Sequence, residues 1–252
     1  MNDPHVVAVI YRLKHDAFVK YDKAEPLEHD TPEFTVRVSE GEAHFEMKKH
    51  FGNVEAAREM VAPFIRAWEV TAALDEGPGH FELIFKNGDI EDRKPTPGIV
   101  NVVRVETILM AESVSIVLGK GHYPEPPSGI VVNADVEAML SRYTKFRQDR
   151  ETLAGMAYFC LTVLVESAGG RAPAAGKFNV AGKVLSTLGR LTGEKGGADA
   201  RKVKGLRHEF TPAERDWLDL ALRKLIRRAA EVAYDPAQSR PQITMADLQK
   251  LN

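Results

Sequence analysis

Apolar and polar residues alternate along two neighbouring segments near the start of the chain. Each segment places an apolar residue at every second position, the period of a strand that buries one side. A short polar stretch with a glycine, residues 39–42, separates them and favours a turn. The two segments therefore predict a β-hairpin. Their apolar positions are Phe34, Val36, Val38, Ala43, Phe45 and Met47.

Further alternating segments and one helix complete the predicted first domain. Residues 81–85 alternate in the same way, residues 6–13 are predicted as one more strand, and residues 103–107 and 114–118 are predicted to pair with each other. Between them, apolar residues recur at three- and four-residue spacing after Asn53, a residue type that caps helices. Pro63 is expected to kink this helix. This order predicts an α+β domain in which one helix covers an antiparallel sheet.

A segment rich in proline and glycine, residues 119–129, interrupts both periods and is typical of a connector. We therefore expect an α+β domain over residues 1–120, a connector over residues 121–132 and an all-α helical domain over residues 133–252.

The second domain contains several helical patterns. A helix is predicted after Asn133, and the strongly apolar residues 153–165 predict a buried one. Two shorter helices are expected at residues 174–178 and 180–191. Thr211-Pro-Ala-Glu214 combines a capping box with proline at the first helical position, so a long helix is predicted from there to about Tyr234. Residues 244–247 predict a last short helix.

The composition favours a globular chain in a reducing compartment. Among 252 residues, 44% are hydrophobic, and Cys160 is the single cysteine, which excludes an internal disulfide. No apolar run approaches about 18 residues, and the first residues lack the basic segment of a signal peptide. We therefore expect a cytoplasmic protein without a membrane partner.

The net charge of −2 hides two halves of opposite sign. Residues 1–133 contain 14 Lys and Arg against 22 Asp and Glu, a net charge of −8. Residues 134–252 contain 20 against 14, a net charge of +6. The whole chain is therefore not expected to bind polyanions indiscriminately, whereas its second half remains a candidate.

Histidines and carboxylates near the start suggest a metal site only superficially. His44 and His50 lie near Glu42 and Glu46, residue types that bind zinc or manganese. However, the alternation puts His44 on the polar side of a strand, and no HExxH spacing is present. A surface location is therefore favoured, and no metal is predicted.

Nucleophile and nucleotide motifs give no cofactor prediction. Cys160 lies within an apolar helical pattern, where cysteine is usually a small core residue. Asn87-Gly88 predicts a turn, with the following acidic residues 89–92 in a solvated loop. The glycine-rich stretches lack the endings of a P-loop or a dinucleotide fingerprint, so no cofactor is expected.

Basic residues are concentrated in the second half. Between Arg190 and Arg228 there are 11 Lys and Arg against 6 Asp and Glu. Such a cluster neutralises phosphates and supplies affinity without base information. The alternative is a solvated helix face, because Asp219 and Arg223 have the spacing of a helical ion pair. The candidate nucleic-acid-binding residues are Lys177, Lys183, Arg190, Lys202 and Lys204.

One segment of this basic half resembles a helix-turn-helix motif. Residues 174–180, Ala-Ala-Gly-Lys-Phe-Asn-Val, offer a first helix with small residues and a turn near Asn179, and Val184, Leu185 and Leu188 would anchor a second helix. The resemblance implies that the second helix enters a major groove. It would then present to bases or phosphates Lys183, Ser186, Thr187 and Arg190.

A second resemblance is to HEPN proteins, small helical bundles of bacterial defence and toxin systems, many of which are metal-independent ribonucleases. Arg201-Lys-Val-Lys-Gly-Leu-Arg207-His208 is similar to their Arg-x(4–6)-His motif. The resemblance implies that Arg201 or Arg207 holds the scissile phosphate and His208 moves a proton. The chain departs from the family at Lys202 and at Gly205, and its capping box places His208 before the helix.

Three functions remain open. The first is a nucleic-acid-associated or scaffold protein of a bacterial type whose basic domain contacts RNA or DNA phosphates. The second is a HEPN-like ribonuclease. The third is a non-catalytic interaction protein, in which the opposite charges of the two halves serve a protein partner or a homo-oligomer.

Overall fold

The computed structural model describes residues 1–15, 19–96, 103–106, 118–195 and 208–251. The chain divides into two units, unit 1 at Met1–Pro127 and unit 2 at Ser128–Asn252. Strands and one helix make up unit 1, whereas the elements described in unit 2 are helical apart from isolated bridges. The predicted α+β class, an antiparallel sheet with a helix followed by a helical region, is confirmed.

Unit 1 is built on an antiparallel sheet. Its strands are β1 (Pro4–Lys14), β2 (Val19–Lys20), β3 (Leu27–Asp30), β4 (Phe34–Ser39), β5 (Glu42–Met47), β6 (Glu82–Asp92), β7 (Val103–Glu106) and β8 (Leu118–Gly119). Six of them form one sheet in the order β3-β4-β5-β1-β6-β7. The other two, β2 and β8, pair in parallel.

The predicted hairpin is formed by β4 and β5. Val36 pairs with Phe45, and the turn residues Glu40 and Gly41 have φ angles of 50° and 76°. Two adjacent left-handed residues give the turn a twist that suits a tight hairpin, and glycine adopts that conformation at little cost. The alternating residues of both strands therefore share one buried side.

Helix α1 (Val54–Asp75) belongs to the same core as the sheet. The side chain of Asn53 accepts a hydrogen bond from the backbone nitrogen of Ala56 at 2.9 Å, which caps the helix as expected. The helix continues through Pro63 to Asp75. Its buried Val61 and Trp68 lie in one core with Val9 and Phe45 of the sheet.

The other side of the sheet carries ion pairs. Arg37 bridges Glu28 and Glu46, and Lys48 pairs with Asp30. His44 Nε2 lies 3.5 Å from Glu42 Oε2 on a partly exposed surface. Within the described ranges, no group of three or more His, Cys, Asp or Glu is arranged to hold a metal ion.

The Asn87-Gly88 prediction of a turn is wrong. Strand β6 runs through both residues to Asp92, and Gly88 pairs with Val9 and Val105 on its two neighbours. A register shift in the β1 and β6 pairing falls between Asn87 and Phe85, so a β-bulge absorbs the irregularity. A Cβ at Gly88 would lie 2.7 Å from Val54 Cγ2, so glycine here permits a close approach to α1.

Some predicted strands are only partly described. Thr107, Val114 and Ile116 of the second predicted pair lie outside the described residues. Leu118 pairs with Val19 in β2. The sequence does not predict strand β3, because Leu-Glu-His-Asp lacks an apolar alternation.

Residues 121–127 belong to unit 1. Tyr123 of this stretch is 1% exposed and stacks on Tyr21 with ring centroids 5.3 Å apart. The indole nitrogen of Trp68 donates to the carbonyl of Pro124 at 3.0 Å. The start of the segment predicted as a connector is therefore anchored in the unit 1 core.

Unit 2 packs its helices around an apolar core. The helices are α2 (Ala134–Arg147), α3 (Leu153–Glu166), α4 (Arg171–Lys177), α5 (Gly182–Glu194), α6 (Pro212–Tyr234) and a short 3-10 helix at Met245–Asp247. Capping boxes at Thr211 with Glu214 and at Thr244 with Asp247 begin the last two, as predicted. Cys160 is fully buried in α3, and burial raises the pKa of its thiol to about 12.

No single helix in the described part of the chain has the length and apolar character needed to cross a membrane. Helices α3 and α4 meet that test only as a pair bent by 82°.

Candidate nucleic-acid interface

The turn between α3 and α4 sets the direction of the first short helix. Gly169 and Gly170 have φ angles of 77° and 143°, conformations that favour glycine. The nitrogen of Gly170 donates to the carbonyl of Val165 at 2.8 Å, which closes the end of α3. The chain therefore bends sharply into α4.

The turn between α4 and α5 is held by an arginine from α6. Asn179 adopts a left-handed conformation with φ of 45°, which asparagine tolerates better than most residues. Arg228 Nη1 donates to the carbonyls of Phe178 and Asn179 at 2.9 and 3.2 Å, and Nη2 donates to that of Pro241 at 2.8 Å. The buried guanidinium thus satisfies carbonyls that the end of α4 leaves free.

Helix α5 has one buried and one exposed side. Its buried residues include Val184, Leu185, Leu188 and Leu191, the first three being the anchors that the helix-turn-helix resemblance required. Thr187, predicted to face a ligand, is 6% exposed and belongs to the buried side. That expectation is wrong because Thr187 shares the helical face of Val184 and Leu191.

The exposed side of α5 is basic. Lys183, Ser186 and Arg190 occur at spacings of three and four residues, so they lie along one side of the helix. Within the described ranges, Lys183 has no acidic partner. Arg190 lies 3.6 Å from Glu194 in a pair that is half exposed on both sides. Such a pair contributes little and leaves the guanidinium available for another anion.

Arg171 adds a basic residue that sequence reasoning missed. A Cβ at Gly189 of α5 would lie 2.8 Å from Arg171 Nη2 and 3.3 Å from Leu161 Cδ2. The Arg171 guanidinium, at the start of α4, therefore lies against α5 at Gly189, the residue that precedes Arg190 in the chain. We call Lys183, Ser186, Arg190 and Arg171 the α5 strip. The glycine at position 189 was the available signal, since helix interiors rarely contain glycine without a packing reason.

Lys177 has a different environment from the α5 strip. Its Nζ donates to the carbonyl of Ser167 at 2.8 Å and lies 5.1 Å from the centre of the Phe178 ring. The side chain lines a cavity formed with residues of α2, α3 and α6. Lys177 is therefore not counted in the α5 strip.

The predicted catalytic residues are described only in part. His208 is exposed and forms an isolated bridge with Lys195 just before α6. Arg201 and Arg207, as well as the predicted phosphate ligands Lys202 and Lys204, lie outside the described residues.

Lys195, which forms the bridge with His208, has a side chain that serves the start of α6. Lys195 Nζ donates to both carboxylate oxygens of Glu214 at 2.7 and 2.9 Å. Burial alone would raise the pKa of Glu214, but the hydrogen bonds from Lys195 and Thr211 and the Lys195 charge outweigh it and lower that pKa. Lys195 is thus committed to the capping box.

Comparison with protein-family models, with curated proteins and with solved structures found no match for this chain.

The arrangement suits recognition more than group transfer. Helix α5 packs on α3, and the turn before it is held by Arg228. Its exposed side presents Lys183, Ser186 and Arg190, with Glu194 paired to Arg190 at 3.6 Å. The cations bind phosphate oxygens, and the Ser186 hydroxyl, which donates to the carbonyl of Lys183 at 3.0 Å, accepts a hydrogen bond.

Proposed function

We propose that the protein binds duplex DNA through unit 2, with α5 as the helix that contacts the major groove. The observation that carries the proposal is the α5 strip, a basic exposed side on a helix whose other side is buried. A preceding short helix and a turn at residues 178–181 support the same docking mode.

The chemistry favours duplex DNA over duplex RNA. The major groove of B-form DNA admits an α-helix, whereas the major groove of A-form RNA is deep and narrow. Lys183, Arg190 and Arg171 supply charge for phosphates or for guanine edges, and Ser186 adds a polar contact. Most of the binding affinity is therefore expected from contacts between the α5 strip and phosphates. At most two or three of its residues would read base edges.

The direct test is a charge reversal on the α5 strip. Full-length Lys183→Glu/Arg190→Glu protein should bind a fluorescent mixed-sequence DNA duplex about tenfold or more weakly than the wild type at about 50 mM salt. Lys145→Glu/Arg150→Glu is a matched control, because both residues are exposed elsewhere in unit 2 and the net charge changes equally. Equal loss in both variants, or no binding by the wild type, would contradict the proposal.

The same preparations test the two other functions. Tighter binding to an RNA duplex than to DNA would favour RNA contact. RNA degradation that disappears in His208→Ala would favour the HEPN-like ribonuclease. A stoichiometric protein complex or homo-oligomer that forms without any nucleic-acid affinity would favour the interaction protein.

A further inference from the structure

Unit 2 contains a cavity of about 420 Å³ whose lining residues include none of the α5 strip. Its floor is apolar and is formed by Met139 of α2, Leu164 of α3 and Val232 of α6. Phe178, directly after α4, completes it. Because these residues are anchored by core packing, the cavity is preformed.

The rim of the cavity carries one charge of each sign. Lys177 and Asp135 both line it and are exposed, and neither has an ion-pair partner among the residues that the structure describes. Lys177 Nζ is held at the rim by hydrogen bonds to the Ser167 carbonyl at 2.8 Å and to Ser167 Oγ at 3.5 Å, which leaves one of its three N–H donors. Asp135 lies in the first turn of α2, where a carboxylate is stabilised by the helix dipole.

We propose that this cavity binds a small zwitterion with a large apolar side chain, of the class of the apolar α-amino acids. The floor takes the side chain, Lys177 takes the carboxylate, and Asp135 takes the ammonium. The volume is that of a small-molecule site, and such sites combine apolar walls with a few polar groups that fix orientation. A phosphate-rich ligand fits poorly, because the lining carries an aspartate as well as a lysine.

The proposal does not depend on DNA binding. It differs from the DNA proposal in its residues, since Asp135 and the floor lie outside the α5 strip. Failure of either proposal therefore leaves the other intact, and the two are measured with different ligands.

The test uses three probes that share an indole ring and differ in charge. L-Tryptophan is the zwitterion, indole-3-propionate carries only the carboxylate, and tryptamine carries only the ammonium. In isothermal titration of the full chain at pH 7, L-tryptophan should bind about tenfold or more tightly than either single-charge probe, because each charged hydrogen bond adds affinity.

Variants of the rim separate the two charges. Lys177→Met should remove the advantage of L-tryptophan over tryptamine, and Asp135→Asn should remove its advantage over indole-3-propionate. Ala233→Phe, which fills the cavity, should abolish binding of all three probes, whereas Lys145→Met on the outside of unit 2 should change none. Absence of L-tryptophan binding, equal affinity for the three probes, or an unchanged preference in Lys177→Met would overturn the proposal.

Discussion

Arg228 directs its guanidinium at backbone carbonyls inside unit 2. Its side chain is 9% exposed and forms an ion pair with Glu231 at 2.8 Å. It also donates to three carbonyls, those of Phe178 and Asn179 in the α4–α5 turn and that of Pro241. The charge is therefore used to fix the turn before α5. The sequence pattern alone places Arg228 in the basic cluster that is predicted to neutralise phosphates.

We expect Arg228→Met to destabilise unit 2 strongly. The substitution leaves the carbonyls of Phe178 and Pro241 without this donor and leaves Glu231 with only the longer ion pair to Arg240 at 3.7 Å, a loss of about 3–5 kcal/mol. Urea unfolding followed by the fluorescence of the buried Trp217 measures it. Lys224→Met, on the same helix but partly exposed, should stay within about 1 kcal/mol of the wild type; similar losses in both variants would refute a special role for Arg228.

The raised pKa of Tyr143 makes the stability of unit 2 depend on pH. Burial, followed by the charge of Asp219 at 3.1 Å from its hydroxyl, raises the pKa of Tyr143 to about 12. Because the folded state favours the neutral phenol, its contribution to stability is complete below the ordinary pKa of 10 and is lost as the pH rises towards 12.

Asp219→Asn should lower the pKa of Tyr143 towards 10 without restoring it fully, since burial is the larger cause and remains. The measurement is the absorbance of tyrosinate at alkaline pH, taken as the difference from a Tyr143→Phe protein. Asp216→Asn, an exposed neighbour on α6, is the control. A shift of equal size in both variants would contradict the assignment.

The exposure of single residues could be predicted from the sequence only in part. Lys183 and Arg190 follow from the spacing of the apolar residues of α5, and the structure leaves them exposed. The same spacing rule, applied to α6, predicts that Arg228 is buried, because it lies three residues after Leu225 and seven after Ala221, which are both buried. Its role depends on carbonyls 50 residues away, which no local pattern encodes.

At the scale of elements, β6 shows how packing overrides turn chemistry. Asn-Gly is a strong turn signal, yet here it continues a strand because both neighbours pair with it. The glycine is needed for its small size against Val54 at the start of α1. The close packing of the start of α1 on the sheet therefore requires a residue without a side chain at position 88.

Gly88→Ala should destabilise unit 1 by about 1–3 kcal/mol, because its Cβ overlaps the Val54 methyl groups. Thermal unfolding followed by calorimetry measures the change. Adding Val54→Ala should recover part of the loss, which gives a favourable coupling in the double-mutant cycle. Gly52→Ala, with open space at its Cβ, serves as the control; strictly additive effects of Gly88→Ala and Val54→Ala would argue against the contact.

Other elements were predictable for local reasons. A capping box marks the start of a helix within four residues of sequence. The helix starts predicted at Thr211 and Thr244 therefore match those in the structure. The β4–β5 hairpin is equally local. In contrast, β3 has a polar sequence and exists through its pairing with β4, which depends on the whole sheet.

At the scale of the whole molecule, the net charge of −2 is an average over different parts. Many carboxylates of unit 1 are engaged in ion pairs on the outer side of its sheet, as at Glu28, Glu46 and Asp30. In unit 2, Arg223, Arg228 and Lys195 are paired inside the unit, so the excess of basic residues is not equivalent to a uniform basic surface. The DNA proposal therefore depends on a few exposed residues of α5.

The measurement that tests this most directly is the salt dependence of DNA affinity. For full-length wild type and Lys183→Gln/Arg190→Gln proteins, the logarithm of the binding constant is plotted against the logarithm of the salt concentration. Each lost phosphate contact reduces the slope by about one, so the double variant should show a slope lower in magnitude by about two. An unchanged slope, or a wild-type affinity that does not depend on salt, would contradict DNA binding through α5.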